Sequence, residues 1–271
     1  MITKFLKNEI IKMLSSKRNY ILLIFMAFMI GAIIYMIYLS RGNIINNTPK
    51  SKQFSSEIKW QIMNMNSIIF LSQFSVEFIF RSAVPYFLFF MTVFSVESFG
   101  EDFYSGNMKF FANIDKKCTN ILKAKILCLI IYSFLIVMIN LILGFIISSL
   151  VFGVSFNGLS RIIVIYLSAI IPAASFALII GIISMFIKNK TISLTVGFAS
   201  SIFITVSDKI TVSRNFSPIG IIGIIEKFGT ENVYSNMPVK SLIMPNIIAG
   251  IYLVSFYYIG KKIFSNREFI Y

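Results

Sequence analysis

The sequence contains no histidine, two cysteines and few charged residues for its 271-residue length. The absence of histidine excludes histidine-based acid–base catalysis and histidine-ligated metals. Cys118 and Cys128 lie ten positions apart, a spacing that fits neither zinc-binding nor disulfide patterns. Charged residues make up 13% of the chain, whereas soluble proteins contain about 25%. An ordinary soluble domain is therefore excluded.

The apolar residues, in contrast, are abundant and fall in long uninterrupted runs. They make up 57% of the chain, and the mean hydropathy is +0.83. About 20 helical residues rising roughly 1.5 Å each cross the hydrocarbon core of a bilayer. Six runs predict such transmembrane helices, at residues 20–39, 82–99, 126–152, 162–187, 191–207 and 242–260. The chain is thus predicted to be an all-α integral membrane protein, with residues 1–271 forming one transmembrane domain.

Residues 1–19 precede the first predicted span and carry apolar side chains at helical spacing. The apolar stripe consists of Ile2, Phe5, Leu6, Ile10, Met13 and Leu14. Lysines lie elsewhere around the same helix, which is the pattern of a helix lying in the membrane interface. We expect an N-terminal amphipathic interfacial helix here; a plain polar tail is the alternative.

The basic residues, which give a net charge of +14, are concentrated at the ends of the apolar runs. Such charges favour the inner side of the membrane and contacts to anionic lipid over nucleic-acid binding. The short turn with Lys188 and Lys190 is predicted to face inward, and the short turn before Arg161 outward. This pattern predicts both termini on the cytosolic side of the membrane.

A long polar segment between the second and third predicted spans runs over residues 97–125. Its acids come first, followed by a break at Ser105 and Gly106 and then by lysines. The order predicts a segment that leaves the membrane, turns, lies along its inner face and returns. Such a loop can pass force from a cytosolic partner to the adjoining spans.

The chain lacks a nucleotide-hydrolysing motif of the GxxxxGK[ST] form. The predicted spans contain no pattern of acidic residues of the kind that drives proton- or sodium-coupled carriers. Asn140 lies near the middle of the third predicted span. It is explained more simply by a hydrogen bond between packed helices than by a role in moving protons or ions. The chain is therefore predicted not to be an enzyme, and a transporter of this kind must take its energy from a separate subunit.

Together, the six spans, the amphipathic N-terminus and the central loop resemble the ABC type 2 exporter permeases, a family that includes bacteriocin-immunity and drug-efflux permeases. In that family an acidic residue and a glycine precede a short helix, basic residues and a returning lysine. The matching positions here are Glu101, Gly106, Lys109, Lys116, Lys117 and Lys125.

The resemblance implies that the loop is a cytosolic coupling helix, seated on an ATP-binding subunit. The coupling residues would be Glu101, Gly106, Lys109, Phe110, Phe111, Ile114, Lys116 and Lys117. ATP and magnesium would then be held by that subunit, present in two copies, and no cofactor by this chain. A basic loop that contacts lipid and has no partner is the alternative.

The resemblance also implies a translocation path or dimer seam along the second and fifth spans, facing a second permease chain, identical or related. The matching residues are Tyr86, Phe87, Phe90, Phe94, Ser193, Gly197, Ser200 and Ser201. An aromatic run of this kind more often faces lipid or packs against other helices than binds substrate, and the small-residue face is most simply a close helix-packing surface. Residues 218–225 resemble the outer re-entrant segment of the family.

These features predict a permease in a bacterial plasma membrane. The substrate we expect is amphipathic or hydrophobic, such as an antimicrobial peptide or antibiotic, because the predicted path has no fixed charge. The alternative is a non-transporting membrane partner or sensor protein.

Overall fold

The computed structural model describes residues 2–46, 55–75, 86–107, 119–187, 189–208, 210–219 and 240–265. Within these ranges the chain is helical and contains no strand. The helices, in chain order, are α1 Ile2–Ser15, α2 Lys17–Ile45, α3 Ser56–Met63, α4 Ser67–Ile69, α5 Tyr86–Ser95, α6 Glu101–Tyr104, α7 Thr119–Phe152, α8 Leu159–Ser168, α9 Ile170–Phe186, α10 Lys190–Ser207, α11 Thr211–Phe216 and α12 Lys240–Ser265. Wider, π-type turns at Phe70–Ser75 and Val96–Gly100 extend α4 and connect α5 to α6.

Five helical segments among the described residues are long and apolar enough to cross a membrane. They are Lys17–Ile45, Thr119–Phe152, Leu159–Phe186, Lys190–Ser207 and Ile243–Phe264. Each corresponds to one of the six predicted runs, so the all-helical, multi-pass character is confirmed. The other predicted span, 82–99, is described only from Tyr86 onward, and its helical part is not among the five.

Several of the spans differ from their predicted bounds. The first span, α2, runs from Lys17 to Ile45 instead of the predicted 20–39, and α12 runs from Lys240 to Ser265 instead of the predicted 242–260. The third span, α7, is helical already at Thr119, the first described residue after 107, whereas the prediction began at 126; the lysine side chains in these turns are compatible with a continuous helix. The fourth predicted span is divided at Ala169 into α8 and α9. Pro172 lies in the first turn of α9, where its missing N–H is tolerated, and this position accounts for the break.

Helix α9 lies at the centre of the bundle. It packs against α5, α7 and α12, and its side chains from Pro172 to Leu178 are buried. Small residues allow this close packing: a Cβ added at Gly181 would lie 2.7 Å from the Ser95 hydroxyl oxygen and 2.9 Å from the Phe99 ring. Helices in membranes associate through such small-residue contacts. The turn at Val96–Gly100 is thereby held directly against α9.

Helix α1 forms as predicted, but its apolar stripe packs against α7 and the rest of the core instead of being free to face lipid. Met13 is buried, and Ile10 is partly buried against the core. Leu14 does not belong to this stripe as expected, because its side chain is 56% exposed on another face. The periodicity predicted the helix correctly. Its apolar face, which was expected to lie in the membrane interface, contacts protein instead.

Some predicted features lie outside the described residues. They include positions 108–118, which contain most of the expected coupling helix, and positions 220–225 of the expected re-entrant segment. The start of the latter is described: Ile219 is buried, and the Ser217 hydroxyl donates a hydrogen bond to Asp208 over 2.9 Å.

Candidate functional site

A fully buried lysine lies where α1, α6 and α7 meet. Lys125, in the second turn of α7, has no exposed surface. Its Nζ atom donates to Asp102 Oδ2 at 2.5 Å, to Glu9 Oε1 at 3.2 Å and to the backbone carbonyl oxygen of Ser98. An ammonium group has three N–H donors, so each one has an acceptor.

The two carboxylates around Lys125 are buried and have further partners. Glu9 is 4% exposed and accepts a hydrogen bond from the Ser98 hydroxyl at 3.1 Å. Asp102 is 2% exposed and accepts from Lys12 Nζ at 2.9 Å. Lys12 also lies 3.5 Å from Glu9. We call Glu9, Lys12, Asp102 and Lys125 the ionic cluster; its two acids are balanced by its two lysines.

The lysines decide the protonation state of Asp102. Burial of the carboxyl would raise its pKa, but attraction by Lys125 and Lys12, together with their hydrogen bonds, outweighs this effect. The pKa of Asp102 therefore lies below its ordinary value of 3.8. Asp102 is a carboxylate at neutral pH, which is the form that the two lysines require.

The π-type turn Val96–Gly100 contributes two groups to the cluster. In this turn the Glu101 N–H reaches the Val96 carbonyl, one residue further back than in an α-helix. Ser98 lies in the middle of the turn and supplies both a hydroxyl to Glu9 and a carbonyl to Lys125. Wide turns of this kind recur at functional sites.

A second, more exposed set of ion pairs connects neighbouring helices. Glu97 accepts hydrogen bonds from Arg18 and, at 3.1 Å, from the Ser16 hydroxyl between α1 and α2. Lys190, the first residue of α10, lies 3.7 Å from Glu97 and 3.2 Å from Glu101. The same short segment, 97–102, thus pairs with α1, α2, α7 and α10.

Tyr104 connects the end of α6 to two further helices. Its hydroxyl donates to the Ser184 carbonyl of α9 at 3.0 Å and lies 2.5 Å from the Ser193 hydroxyl of α10. Gly106 then has a φ of 71°, a left-handed conformation that favours glycine. The interruption of the helix that was predicted at Ser105 and Gly106 is confirmed, since α6 ends at Tyr104.

Apart from Lys125, the residues of both sets of ion pairs line an open groove of about 580 Å³ between the junction of α1 with α2, the segment 97–107 and the start of α10. Charged side chains on its walls are Glu9, Lys12, Lys17, Arg18, Glu97, Glu101, Asp102 and Lys190. Acids and bases are equally numerous in this set, and most pair with one another.

The expected coupling residues are only partly described. Glu101 lines the groove and pairs with Lys190, and Gly106 lies between Ser105 and Asn107, which also line it. The others lie outside the described residues: Lys109, Phe110, Phe111, Ile114, Lys116 and Lys117.

The structure brings the two stretches of the expected translocation path together inside one chain. Helix α5 packs against α10, with the Phe89 and Phe198 ring centroids 4.7 Å apart. A Cβ added at Gly197 would overlap the Thr92 side chain. Phe87, Phe90, Phe94, Ser193 and Ser201 are buried, whereas Tyr86 and Ser200 are partly exposed. Much of this surface is thus already in contact within the chain.

Sequence reasoning missed the role of Glu9. It follows Ile2 by seven positions and precedes Met13 by four, which places it on the buried stripe of α1. A lone acid on an apolar face indicates a buried cation, because an unpaired buried charge is unstable. That signal was present, but it does not say which lysine is the partner.

The sequence matches no protein-family model, and it matches no curated protein either. The functional conclusion therefore depends on the geometry of this site and on the resemblance that the sequence carries.

Proposed function

We propose that the chain is the membrane-spanning permease subunit of an ATP-binding-cassette exporter. It works in a bacterial plasma membrane with both termini in the cytosol. It pairs with a second permease chain, identical or related, and with two copies of a cytosolic subunit that binds ATP and magnesium. Its substrate is an amphipathic or hydrophobic molecule, such as an antimicrobial peptide or an antibiotic.

The observation that carries this proposal is the contact between the two ends of the central loop. Asp102 lies near the start of the loop, residues 97–125, and Lys125 is its last residue; their side chains meet at 2.5 Å inside the protein. Glu9 ties the same lysine to α1. A loop anchored in this way cannot be displaced without moving the helices on either side, which is what a force-transmitting segment requires.

Other contacts extend the same connection to further helices of the bundle. Tyr104 joins α6 to α9 and α10, and Lys190 joins α10 to Glu97 and Glu101. A loop that served only to contact lipid would gain nothing from a buried, fully paired lysine at its base. Buried ion pairs contribute little net stability, so a role in fixing geometry accounts for this one better.

The substrate class rests on the character of the second and fifth predicted spans. Their contact is formed by aromatic, hydroxyl and glycine groups, such as Phe89, Phe198 and Gly197, and it has no fixed charge. A surface of this kind suits a molecule taken from the lipid phase. A strongly charged substrate would require polar partners along its route.

Affinity purification in mild detergent, with identification of the co-purifying proteins, tests the proposal. We expect an ATP-binding subunit to accompany the wild-type chain. The double variant Phe110→Asp/Phe111→Asp removes the expected apolar contact and should lose this subunit. The variant Lys59→Gln changes a lysine on α3, away from the groove, and serves as the control that retains it.

A second variant separates binding from transmission. The triple variant Glu9→Gln/Asp102→Asn/Lys125→Met removes three charges of the ionic cluster together and leaves residues 108–118 unchanged. We expect it to retain the ATP-binding subunit while substrate-stimulated ATP hydrolysis falls. If no ATP-binding subunit accompanies even the wild-type chain, the exporter proposal is wrong and a non-transporting membrane partner is the better description.

A further inference from the structure

Helix α1 has a second face, opposite the one that packs against α7. Lys4, Lys7, Ile11 and Leu14 follow one another at intervals of three and four residues, which places them on a single side of the helix. All four are exposed; Ile11 and Leu14 are 53% and 56% exposed. We call these four residues the outer face of α1.

The outer face has a polarity gradient. Its two lysines lie in the first half of α1, and its two large apolar side chains lie in the second half. The only acid of α1, Glu9, is on the opposite side and buried. The outer face therefore carries positive charge that no acid of the same helix offsets.

The apolar half of this face lies next to a candidate membrane span. A single residue, Ser16, separates α1 from α2, and α2 is the first of the five candidate spans. After Lys17 and Arg18, which are exposed as well, the exposed side chains of the next turns of α2 include Tyr20, Ile21 and Ile24, which are between 53% and 70% exposed. Exposed apolar side chains are thus present both at the end of α1 and near the start of the span.

The junction between the two helices is fixed. The Asn19 side-chain amide nitrogen donates to the Met13 backbone carbonyl at 2.8 Å, and the Tyr132 hydroxyl of α7 donates to the Asn19 side-chain oxygen Oδ1 at 3.3 Å. Because α1 is also held to α7 by Glu9, it cannot rotate to present its other side. These contacts hold α1 with its outer face away from α7.

We propose that the outer face of α1 binds the anionic phospholipids of the adjacent membrane leaflet. The end of α1 nearest the span places Ile11 and Leu14 among the acyl chains, while Lys4 and Lys7 lie at the level of the phosphates. Exposed lysines near a membrane attract anionic headgroups, and apolar side chains beside them anchor the helix at the interface. This inference does not depend on the exporter proposal.

A single tryptophan on this face provides the test. The native chain contains one tryptophan, Trp60, so the variant Trp60→Phe/Leu14→Trp has one reporter on the outer face. The purified full-length chain is reconstituted in vesicles of phosphatidylglycerol and phosphatidylcholine in equal parts. In parallel samples the bromine label that quenches tryptophan is on one lipid or on the other. The ratio of the two quenching values measures the lipid composition beside the helix.

We expect brominated phosphatidylglycerol to quench the reporter more strongly than brominated phosphatidylcholine. In the same background, Lys4→Gln/Lys7→Gln should reduce this preference, by about five-fold per lysine at low salt. Raising the salt concentration should reduce it as well, because exposed charges are then screened. The control Lys123→Gln/Lys261→Gln removes two exposed lysines from other helices and should leave the ratio unchanged.

Three outcomes would overturn the inference. Equal quenching by both lipids would show that the face has no preference for anionic headgroups. Absence of quenching by either lipid would show that water or another protein covers the face. An equal loss of preference in the control would show that total charge matters, and not the outer face of α1.

Discussion

Replacement of Lys125 by methionine tests the ionic cluster most directly. Methionine fills a similar volume but leaves Glu9 and Asp102 buried, with Lys12 as their remaining lysine partner in the cluster. Removing one partner of a buried ion pair costs about 3–5 kcal/mol, because the charge left behind is uncompensated. For a chain of this size, a loss of 1 kcal/mol lowers the midpoint of thermal unfolding by about 2–4 °C. We therefore expect Lys125→Met to lower it by roughly 6–20 °C.

The buried thiol of Cys128 supplies the assay. It is a free cysteine with no exposed surface, so a thiol-reactive fluorescent dye labels it only when the chain unfolds. The substitution Cys118→Ser makes it the only thiol in the chain. Fluorescence during heating in detergent then reports the unfolding midpoint of each variant.

Two further variants make the result decisive. Lys123 lies two positions earlier on the same helix and is exposed, so Lys123→Met should change the free energy of unfolding by about 0.5 kcal/mol or less. The triple variant Glu9→Gln/Asp102→Asn/Lys125→Met removes the orphaned charges and should recover most of the loss. If Lys125→Met is as stable as Lys123→Met, Lys125 is not a buried, paired lysine and the reasoning is refuted.

Three other predictions use the same thermal assay. Gly197→Leu should lower the free energy of unfolding by about 1–3 kcal/mol, because the larger side chain overpacks against Thr92. Gly31→Leu should lower it little, because a Cβ at Gly31 has no close neighbour. Equal unfolding midpoints for the two variants would contradict the contact between α5 and α10. Tyr104→Phe should lower the free energy of unfolding by about 1–2 kcal/mol, because it removes the hydroxyl that joins α6 to α9 and α10. An unchanged unfolding midpoint would contradict that connection. The lowered pKa of Asp102 contributes stability that is present above pH 3.8 and is lost as pH falls below it, so the midpoint of Asp102→Asn should depend less on acid than that of the native chain.

The fold could be predicted where local pattern alone determines it. Long apolar runs identify helices of membrane length whatever their neighbours are, and five of the six runs correspond to candidate spans. The break at Gly106 follows from its freedom to adopt positive φ. The division at Ala169 could have been inferred from Pro172, since proline in a first helical turn marks where a helix begins.

The ionic cluster could not be predicted in the same way, because its members are far apart in the sequence. Glu9 and Lys125 are separated by 116 positions, and charge alone does not select one lysine among many. The amphipathic pattern of α1 likewise shows that one face is buried, without showing whether lipid or protein covers it. Tertiary packing decides both, through the contact of α1 with α7.

The two sets of ion pairs differ in strength, and this difference indicates which contacts would separate if the loop were moved. Breaking the Lys125–Asp102 contact would leave buried charges unpaired, at about 3–5 kcal/mol. The Lys190–Glu101 pair, 25% and 56% exposed, is worth about 1 kcal/mol or less, and the Arg18–Glu97 pair is also partly exposed. Force on the loop would therefore open the pairs to Lys190 and Arg18 first. The ends of the loop, α1 and the start of α7 would then move as one body, while the ion pairs with α10 and α2, which carry Lys190 and Arg18, would open.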